Sequence, residues 1–170
     1  MPNGDNDRDR VRAQLQAVLG LLRTLDAGRE VALFVEQKGP KVTVSKRLGK
    51  FGWQALTIGM LKTIFIAPNI LDMPTVRATR TYAHEFGHLF FGKDHPVEYT
   101  IDSIEQEHAA ESLTARVWAE MNPNASPEEY EEQVGWILDQ PVETAYEKIR
   151  QWGPYYAGLP EKQPRWYQVG

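Results

Sequence analysis

The spacing of apolar residues divides the chain into helical and strand-like segments. Apolar residues recur every three or four positions through residues 9–26, which predicts an amphipathic N-terminal helix that packs on the core. Short runs rich in β-branched and aromatic residues predict strands at 31–35, 42–44 and 62–67. Residues 1–9 are polar and charged, and we interpret them as a disordered leader.

Helix signals dominate the remainder of the chain. A capping aspartate and a first-turn proline predict a helix over about 74–91, and a capping box predicts another over about 104–121. Similar start signals predict further helices at about 127–139 and 142–153. Three prolines interrupt residues 154–170, so we expect an irregular tail whose aromatic rings pack on the domain.

These segments predict an α+β protein with an N-terminal helix, a short antiparallel or mixed sheet and several C-terminal helices. The length of 170 residues suits one domain with a sizeable core, and we expect a single domain over residues 1–170. The net charge of −4 does not indicate a nucleic-acid partner. Residues 46–52 form a basic cluster with aromatic neighbours, which we interpret as a solvated hairpin loop.

Composition also limits the kinds of metal site and compartment. The chain has no cysteine, so disulfides and cysteine-based metal sites are excluded and any metal must use histidine and carboxylates. The longest apolar run, residues 55–71, is interrupted by Lys62, Pro68 and Asn69 and is too short to span a bilayer. With no signal-peptide pattern either, we expect a cytoplasmic protein without a membrane partner.

The pentad His84-Glu85-Phe86-Gly87-His88 is the strongest chemical signal in the sequence. Its two histidines are four residues apart, so on a helix they project from one face and can converge on one ion, usually zinc. Glu85 lies on a neighbouring flank, from which a carboxylate can reach a metal-bound water without binding the metal. This HExxH pattern therefore predicts a catalytic metal site that needs a third protein ligand.

One possible third ligand lies close behind the pentad. In the metzincin pattern HExxHxxGxxH, a glycine permits the turn that brings the last ligand back to the metal. Here the terminal position is Asp94, with His95 adjacent, but Phe91 stands at the glycine position and Gly92 follows one residue later. The displaced glycine disfavours this scheme.

The other possible third ligand lies on the next predicted helix. Glu107 and Glu111 are one turn apart and share a face, so one can bind the metal while the other accepts a hydrogen bond from a ligating histidine. Ala110 between them is small and would let the two helices approach closely. His108 points elsewhere on this helix, and we do not expect it to bind.

Three stretches carry a resemblance to known metallopeptidases. They are Ile64–Ile66, Thr81–Phe90 around the pentad, and the pattern formed by Glu107, Ala110 and Glu111. Over roughly residues 55–121 the chain resembles the gluzincin-type metallopeptidases of the ImmA/IrrE group and the metallopeptidase domain of ArdC-type antirestriction proteins.

The resemblance implies a small zincin-like domain in which His84, His88 and Glu107 bind Zn²⁺. It implies that Glu85 is the catalytic base and that Glu111 accepts a hydrogen bond from a ligating histidine. The implied activity is that of a zinc metalloendopeptidase, a hydrolase that cleaves an intracellular protein through a zinc-activated water. The identity of the substrate is not carried over.

Two other functions stay open on the sequence. The chain could be a metal-stabilised regulatory or antirestriction-like module that binds protein or DNA with little or no proteolysis. It could also hold a structural zinc closed by a fourth ligand, from Asp94, His95 or His108. Manganese or another divalent ion is an alternative to zinc.

Two further expectations concern how a peptide substrate is held. A donor to the oxyanion of the reaction is expected, and Tyr82, Tyr99 and Arg80 are candidates by proximity in the sequence. The strand ending at Ala67 is expected to pair with an extended substrate backbone, as edge strands do.

Overall fold

The protein combines a small mixed sheet with several helices. The structure, a computed structural model, describes residues 4–94 and 102–162. The helices are α1 (Gly4–Thr24), α2 (Asp26–Lys38), α3 (Thr75–Phe91), α4 (Ile104–Met121), α5 (Pro127–Tyr130), α6 (Trp136–Leu138), α7 (Val142–Arg150) and α8 (Pro154–Ala157). The strands are β1 (Lys41–Val44), β2 (Ala55–Ile58) and β3 (Thr63–Ile66). The predicted α+β class is confirmed.

The sheet has the order β1-β3-β2, with β1 parallel and β2 antiparallel to the central strand β3. Ile64 and Ile66 of β3 are fully buried. Because β3 has a partner on each side, the expectation that this strand pairs with a substrate is wrong, and β1 and β2 are the edge strands. The segment 46–52 is not a hairpin loop, since it joins β1 to β2, which are not neighbours; Lys46 and Arg47 in it are exposed.

The predicted strand at 31–35 is wrong, because these residues lie inside α2. Val31, Ala32 and Val35 are buried at helical spacing, whereas Leu33 points outward and is 45% exposed. A strand of five apolar residues would need two buried faces, and the chain instead buries one helical stripe. The helix ends at Lys38, and Gly39 follows as its C-cap with a left-handed φ of 57°.

Both ends of the chain carry more helix than the sequence predicted. Residues 4–9 belong to α1, so the expected disordered leader is wrong there, and residues 1–3 lie outside the description. Residues 154–157 form the short helix α8, so this part of the tail is not irregular. Beyond it, the carbonyls of Pro160 and Glu161 accept the first two backbone N–H groups of α4, each at 2.9 Å.

Helices α3 and α4 form the closest helix pair around the site. A Cβ added at Gly87 would lie 3.0 Å from Ala110 Cα and 3.2 Å from Ala110 Cβ, so glycine and alanine together allow this approach. The residues facing each other, His84 with Glu111 and His88 with Glu107, show that the two helices run antiparallel. The predicted close approach at Ala110 is confirmed.

Helix α4 also joins the two apolar clusters of the described residues. Leu113 and Val117 pack into the larger cluster with α1, α2, β3 and α3. Ile104 and Ala115 pack into a smaller one with the helices that follow α4. None of the helices in residues 4–94 and 102–162 combines the length and apolar composition that crossing a bilayer requires.

Candidate metal centre

Three ligand atoms converge between α3 and α4. His84 Nε2 lies 3.0 Å from His88 Nε2. Glu107 Oε2 lies 3.5 Å from His84 Nε2 and 3.7 Å from His88 Nε2. The two histidines meet because they are one turn apart on α3, and Glu107 meets them because α4 runs antiparallel to α3. The structure thus brings together two imidazoles and one carboxylate that could hold a metal ion.

The spacing and the unmet hydrogen-bonding capacity of these atoms fit a small divalent cation. Tetrahedral zinc binds nitrogen and oxygen at about 2.0–2.2 Å, which separates neighbouring ligand atoms by about 3.3–3.6 Å. The three observed distances between these atoms, 3.0, 3.5 and 3.7 Å, lie in or close to that range. Glu107 Oε2 and His88 Nδ1 are buried without a hydrogen-bond partner. Burying a carboxylate oxygen without a hydrogen-bond partner is unfavourable for the free energy of folding. A cation bound between the three atoms would give that oxygen a partner.

Glu111 lies behind His84, on the side away from the triangle. Its Oε1 is 3.0 Å from His84 Nδ1, within hydrogen-bonding distance, although the pair misses the alignment of a formed bond. A carboxylate there favours the tautomer with its proton on Nδ1, which leaves Nε2 free to bind a metal. The structure therefore places Glu107 in the triangle with the two histidines and Glu111 outside it, beside His84 Nδ1.

The protonation of this cluster follows from its burial and its charges. Burial alone would lower the pKa of His84, but the carboxylates of Glu107 and Glu111 outweigh it and raise that pKa well above its usual value. Burial alone would raise the pKa of Glu107, but His84 and His88 lower it. Each group thus favours the charge state that attracts the other, and a divalent cation can take the place of the proton shared between them.

Glu85 is held by a contact that the sequence did not reveal. Its side chain is 6% exposed, and Thr57 Oγ1 lies 2.6 Å from its Oε2. Thr57 belongs to β2, the edge strand beside α3, so the sheet positions the carboxylate. The same hydroxyl lies 3.2 Å from the Glu85 backbone carbonyl, which is the weaker contact.

The cluster opens into a cleft of about 700 Å³ with an aromatic wall. Trp53, Trp152, Tyr155 and Tyr156 line it, and the Trp53 and Tyr155 ring centroids are 6.4 Å apart. Burial and then nearby carboxylates raise the pKa of Tyr156 to about 12. The expectation that tail aromatics pack on the domain is confirmed for these two tyrosines.

The two ends of the cleft carry opposite charge. Arg77 and Arg80 line it at the N-terminal part of α3. Asp102 lines it near the start of α4, where its carboxylate accepts a hydrogen bond from Tyr155. Because α3 and α4 are antiparallel, these groups lie on opposite sides of the metal-ligand triangle.

Other residues singled out in the sequence lie elsewhere. Tyr82 is fully buried and donates to Gln14 Oε1 at 3.1 Å, so it cannot donate into the cleft and that expectation is wrong. His108 faces the ring of Tyr146, with centroids 5.3 Å apart, and is not part of the triangle. Arg80 does line the cleft. The alternative ligands Asp94 and His95 and the candidate donor Tyr99 lie outside the side chains that are described.

Sequence reasoning did not find Thr57, Arg77, Tyr155 or Tyr156 as residues of the site. Only β2 offered a local signal, a short β-branched run between two glycines. Comparison with protein-family models, curated proteins and solved structures finds no match to this chain.

Proposed function

We propose that this protein is a zinc-dependent metallopeptidase that cleaves peptide bonds of a protein substrate. The observation that carries the proposal is the ligand triangle of His84, His88 and Glu107, with Glu85 beside it in an open cleft. A structural zinc site has no use for a further carboxylate, whereas hydrolysis needs one to accept a proton.

We also propose that the fold is zincin-like. The chain order of strand, HExxH helix and glutamate-bearing helix supports a zincin-like, gluzincin-type assignment of the ImmA/IrrE kind. The assignment of Glu107 as the third ligand is supported by its 3.5 and 3.7 Å approaches to the two histidines. His108 is not available to close the shell, which weakens the structural-site alternative.

The chain's own residues supply positioning and proton transfer in this proposal. Zinc bound by the triangle would supply a Lewis acid and lower the pKa of a water molecule. Glu85 accepts a proton from the attacking water and returns it to the leaving amine. Thr57 fixes the orientation of that carboxylate, and Tyr156 offers a protonated phenol in the same cleft. The aromatic wall offers partly exposed rings against which a substrate packs.

The test separates metal binding from chemistry. Purified wild-type protein and the Glu85→Gln variant are loaded with zinc, analysed for metal content and incubated with a mixture of proteome-derived peptides. We expect equal metal content, and cleavage that falls at least about 100-fold in the variant, because general base catalysis contributes about 10²–10⁴-fold. Cleavage by the wild type is expected to stop on chelation and to return with zinc.

Glu105→Gln is the matched control, because Glu105 is an exposed carboxylate on α4 outside the cleft. It should leave both cleavage and metal content unchanged. Equal cleavage by wild type and Glu85→Gln would rule out the assigned base. A wild type that binds zinc and peptides but cleaves none would favour the alternative of a binding module.

A further inference from the structure

Neither of the two arginines that line the cleft belongs to the triangle of His84, His88 and Glu107. Arg77 is exposed, and no ion pair joins it to another described residue. Arg80 is partly buried, and its Nη1 donates to Gln133 Oε1. Both line the cleft that contains the triangle. A guanidinium has five N–H donors, so each arginine retains several that can bind a ligand.

Helix electrostatics do not explain the presence of these cations. Arg77 is the third residue of α3, whose first turn contains no acidic residue. A helix N-terminus carries partial positive charge and disfavours cations, so Arg77 opposes the field of its own helix. The two arginines and the helix N-terminus therefore all place positive charge at this end of the cleft.

Arg80 is held in place by an irregular part of the fold. Gln133 lies in the π-helical turn Glu131–Gly135, which interrupts the helical segment between α5 and α6. π-Helical turns of this kind often occur at functional sites. Burial alone would raise the pKa of the Glu111 carboxyl, and His84 followed by the charge of Arg80 lowers it. Arg77 has no such neighbour and is the more open of the two.

The distance from the triangle suits a residue of a bound peptide. Arg80 and Arg77 precede His84 by four and seven residues, which places their backbones about 6 and 10 Å from it along the helix axis. An extended peptide advances about 3.3 Å per residue. A substrate group bound by the arginines therefore lies within about three residues of the cleaved bond.

We infer that Arg77 and Arg80 form a carboxylate-binding subsite for the substrate of the proposed peptidase, an inference that rests on the proposed function. The ligand is a peptide carboxylate, from an aspartate or glutamate side chain or from the C-terminus of the peptide. Planar guanidinium groups match carboxylates with two parallel hydrogen bonds. The aromatic wall and Asp102 offer no comparable site for an anion at the other end of the cleft.

The cleavage experiment uses a synthetic library of randomised peptides in two forms, with a free and with an amidated C-terminus. Mass spectrometry maps the bonds that wild type, Arg77→Gln and Arg77→Glu cleave. We expect the wild type to favour Asp and Glu over Asn and Gln by about tenfold or more at one position, on one side of the cleaved bond. Arg77→Gln should lose this preference, and Arg77→Glu should shift it towards Lys and Arg.

The two library forms identify the source of the carboxylate. If the side chain is bound, both forms give the same preference; if the terminus is bound, only the free form is cleaved near its end. Arg12→Gln is the control and should keep the wild-type preference, because Arg12 is an exposed arginine on α1 outside the cleft. Arg80→Lys and Arg80→Gln are checked for melting temperature and metal content, and loss of preference in Arg80→Gln with partial retention in Arg80→Lys supports the subsite.

A binding measurement decides the inference when no peptide is cleaved. Fluorescence anisotropy compares the affinity of Glu85→Gln protein for labelled glutamate-containing and glutamine-containing peptide pools. Tighter binding of the glutamate pool that disappears with Arg77→Gln supports the subsite, even if the proposed peptidase activity fails. Equal binding of both pools, or an acidic preference that persists in both arginine variants, overturns the subsite whether or not cleavage occurs.

Discussion

His84 and His108 lie in two different clefts of this protein, and the groups around them shift their pKa values in opposite directions. His84 lies 3.5 and 3.0 Å from two carboxylates, which raise its pKa against the effect of burial. His108 lines a second cleft of about 560 Å³, where burial and the charge of Arg116 lower its pKa. One site attracts a cation, and the other disfavours even a proton.

The second cleft shows that nearby ionisable groups do not make a metal site. It contains acidic side chains as well as His108, namely Asp26 and Glu30. Among residues 4–94 and 102–162, however, only the group His84, His88 and Glu107 brings three ligand atoms within 4.8 Å of one another. Convergence depends on two ligands one turn apart and on a second helix close enough to add the third.

The largest difference between the two clefts is expected for metal affinity. His84→Ala should lower zinc affinity by more than about 100-fold, since it removes a ligand rather than a ligand's hydrogen-bonding partner. His108→Ala should leave the affinity unchanged. Competition titration against a chelator of known affinity measures both. A similar loss of zinc affinity in the two variants would contradict the assignment of the metal site to the cleft that contains His84.

A smaller effect is expected for the carboxylate behind His84. Glu111→Gln should lower zinc affinity by about 10- to 100-fold, because the histidine loses an anionic partner at Nδ1. Glu105→Gln, on the exposed side of the same helix, serves as its control. If Glu111→Gln abolished binding and Glu107→Gln did not, the two glutamates would have exchanged roles.

The close contact of α3 and α4 gives the next prediction. Gly87→Ala should destabilise the protein by about 1–3 kcal/mol through overpacking against Ala110, and zinc affinity should fall as α4 moves away. Gly20→Ala on α1 meets no atom within 4 Å and should stabilise the helix by about 0.5–1 kcal/mol. Denaturant unfolding of both variants measures the difference in stability. A stabilised Gly87→Ala protein would show that there is room for a methyl group between Gly87 and Ala110.

The smallest effect is expected at the contact that orients Glu85. Thr57→Val removes one hydrogen bond to the carboxylate and should lower kcat about three- to tenfold, with KM and zinc content unchanged. Thr57→Ser keeps the hydroxyl and should restore kcat, and Thr43→Val on β1 is the matched control. A change in KM alone would mean that Thr57 contacts the substrate instead.

The sequence predicted the spans of α3 and α4 well, although the predicted cap of α3 is wrong: Pro74 precedes the helix without a side-chain cap, and Asp72 pairs with Arg10 instead. Ser103 accepts the N–H of Gln106 at 3.1 Å, as the capping pattern indicated, and the observed α4 covers the predicted span. The four-residue spacing of His84 and His88 fixes their convergence without tertiary information. The small Ala110 allows the close approach of α3 and α4, as the sequence predicted.

The segments that sequence reasoning missed depend on distant contacts. The start of α2 is stabilised by Glu120, which accepts the N–H groups of Asp26 and Ala27 at 2.6 and 2.8 Å from more than 90 positions away. No local pattern reveals such a cap, so the apolar run inside α2 resembled a strand. Likewise, Thr57 and Tyr155 reach the cleft through the sheet and the C-terminal helices, and their sequence positions give no sign of it.

The hydrogen bonds between α4 and residues 160–161 have a mechanical consequence. The carbonyls of Pro160 and Glu161 hold the first turn of α4 by accepting the N–H groups of Ile104 and Glu105, and Glu107 lies two residues beyond Glu105. Displacement of residues 160–161 would therefore disturb the first turn of α4, the helix that carries Glu107. We expect a bulky fusion partner at the C-terminal side to weaken zinc uptake, and the same partner joined ahead of α1 to leave it unaltered.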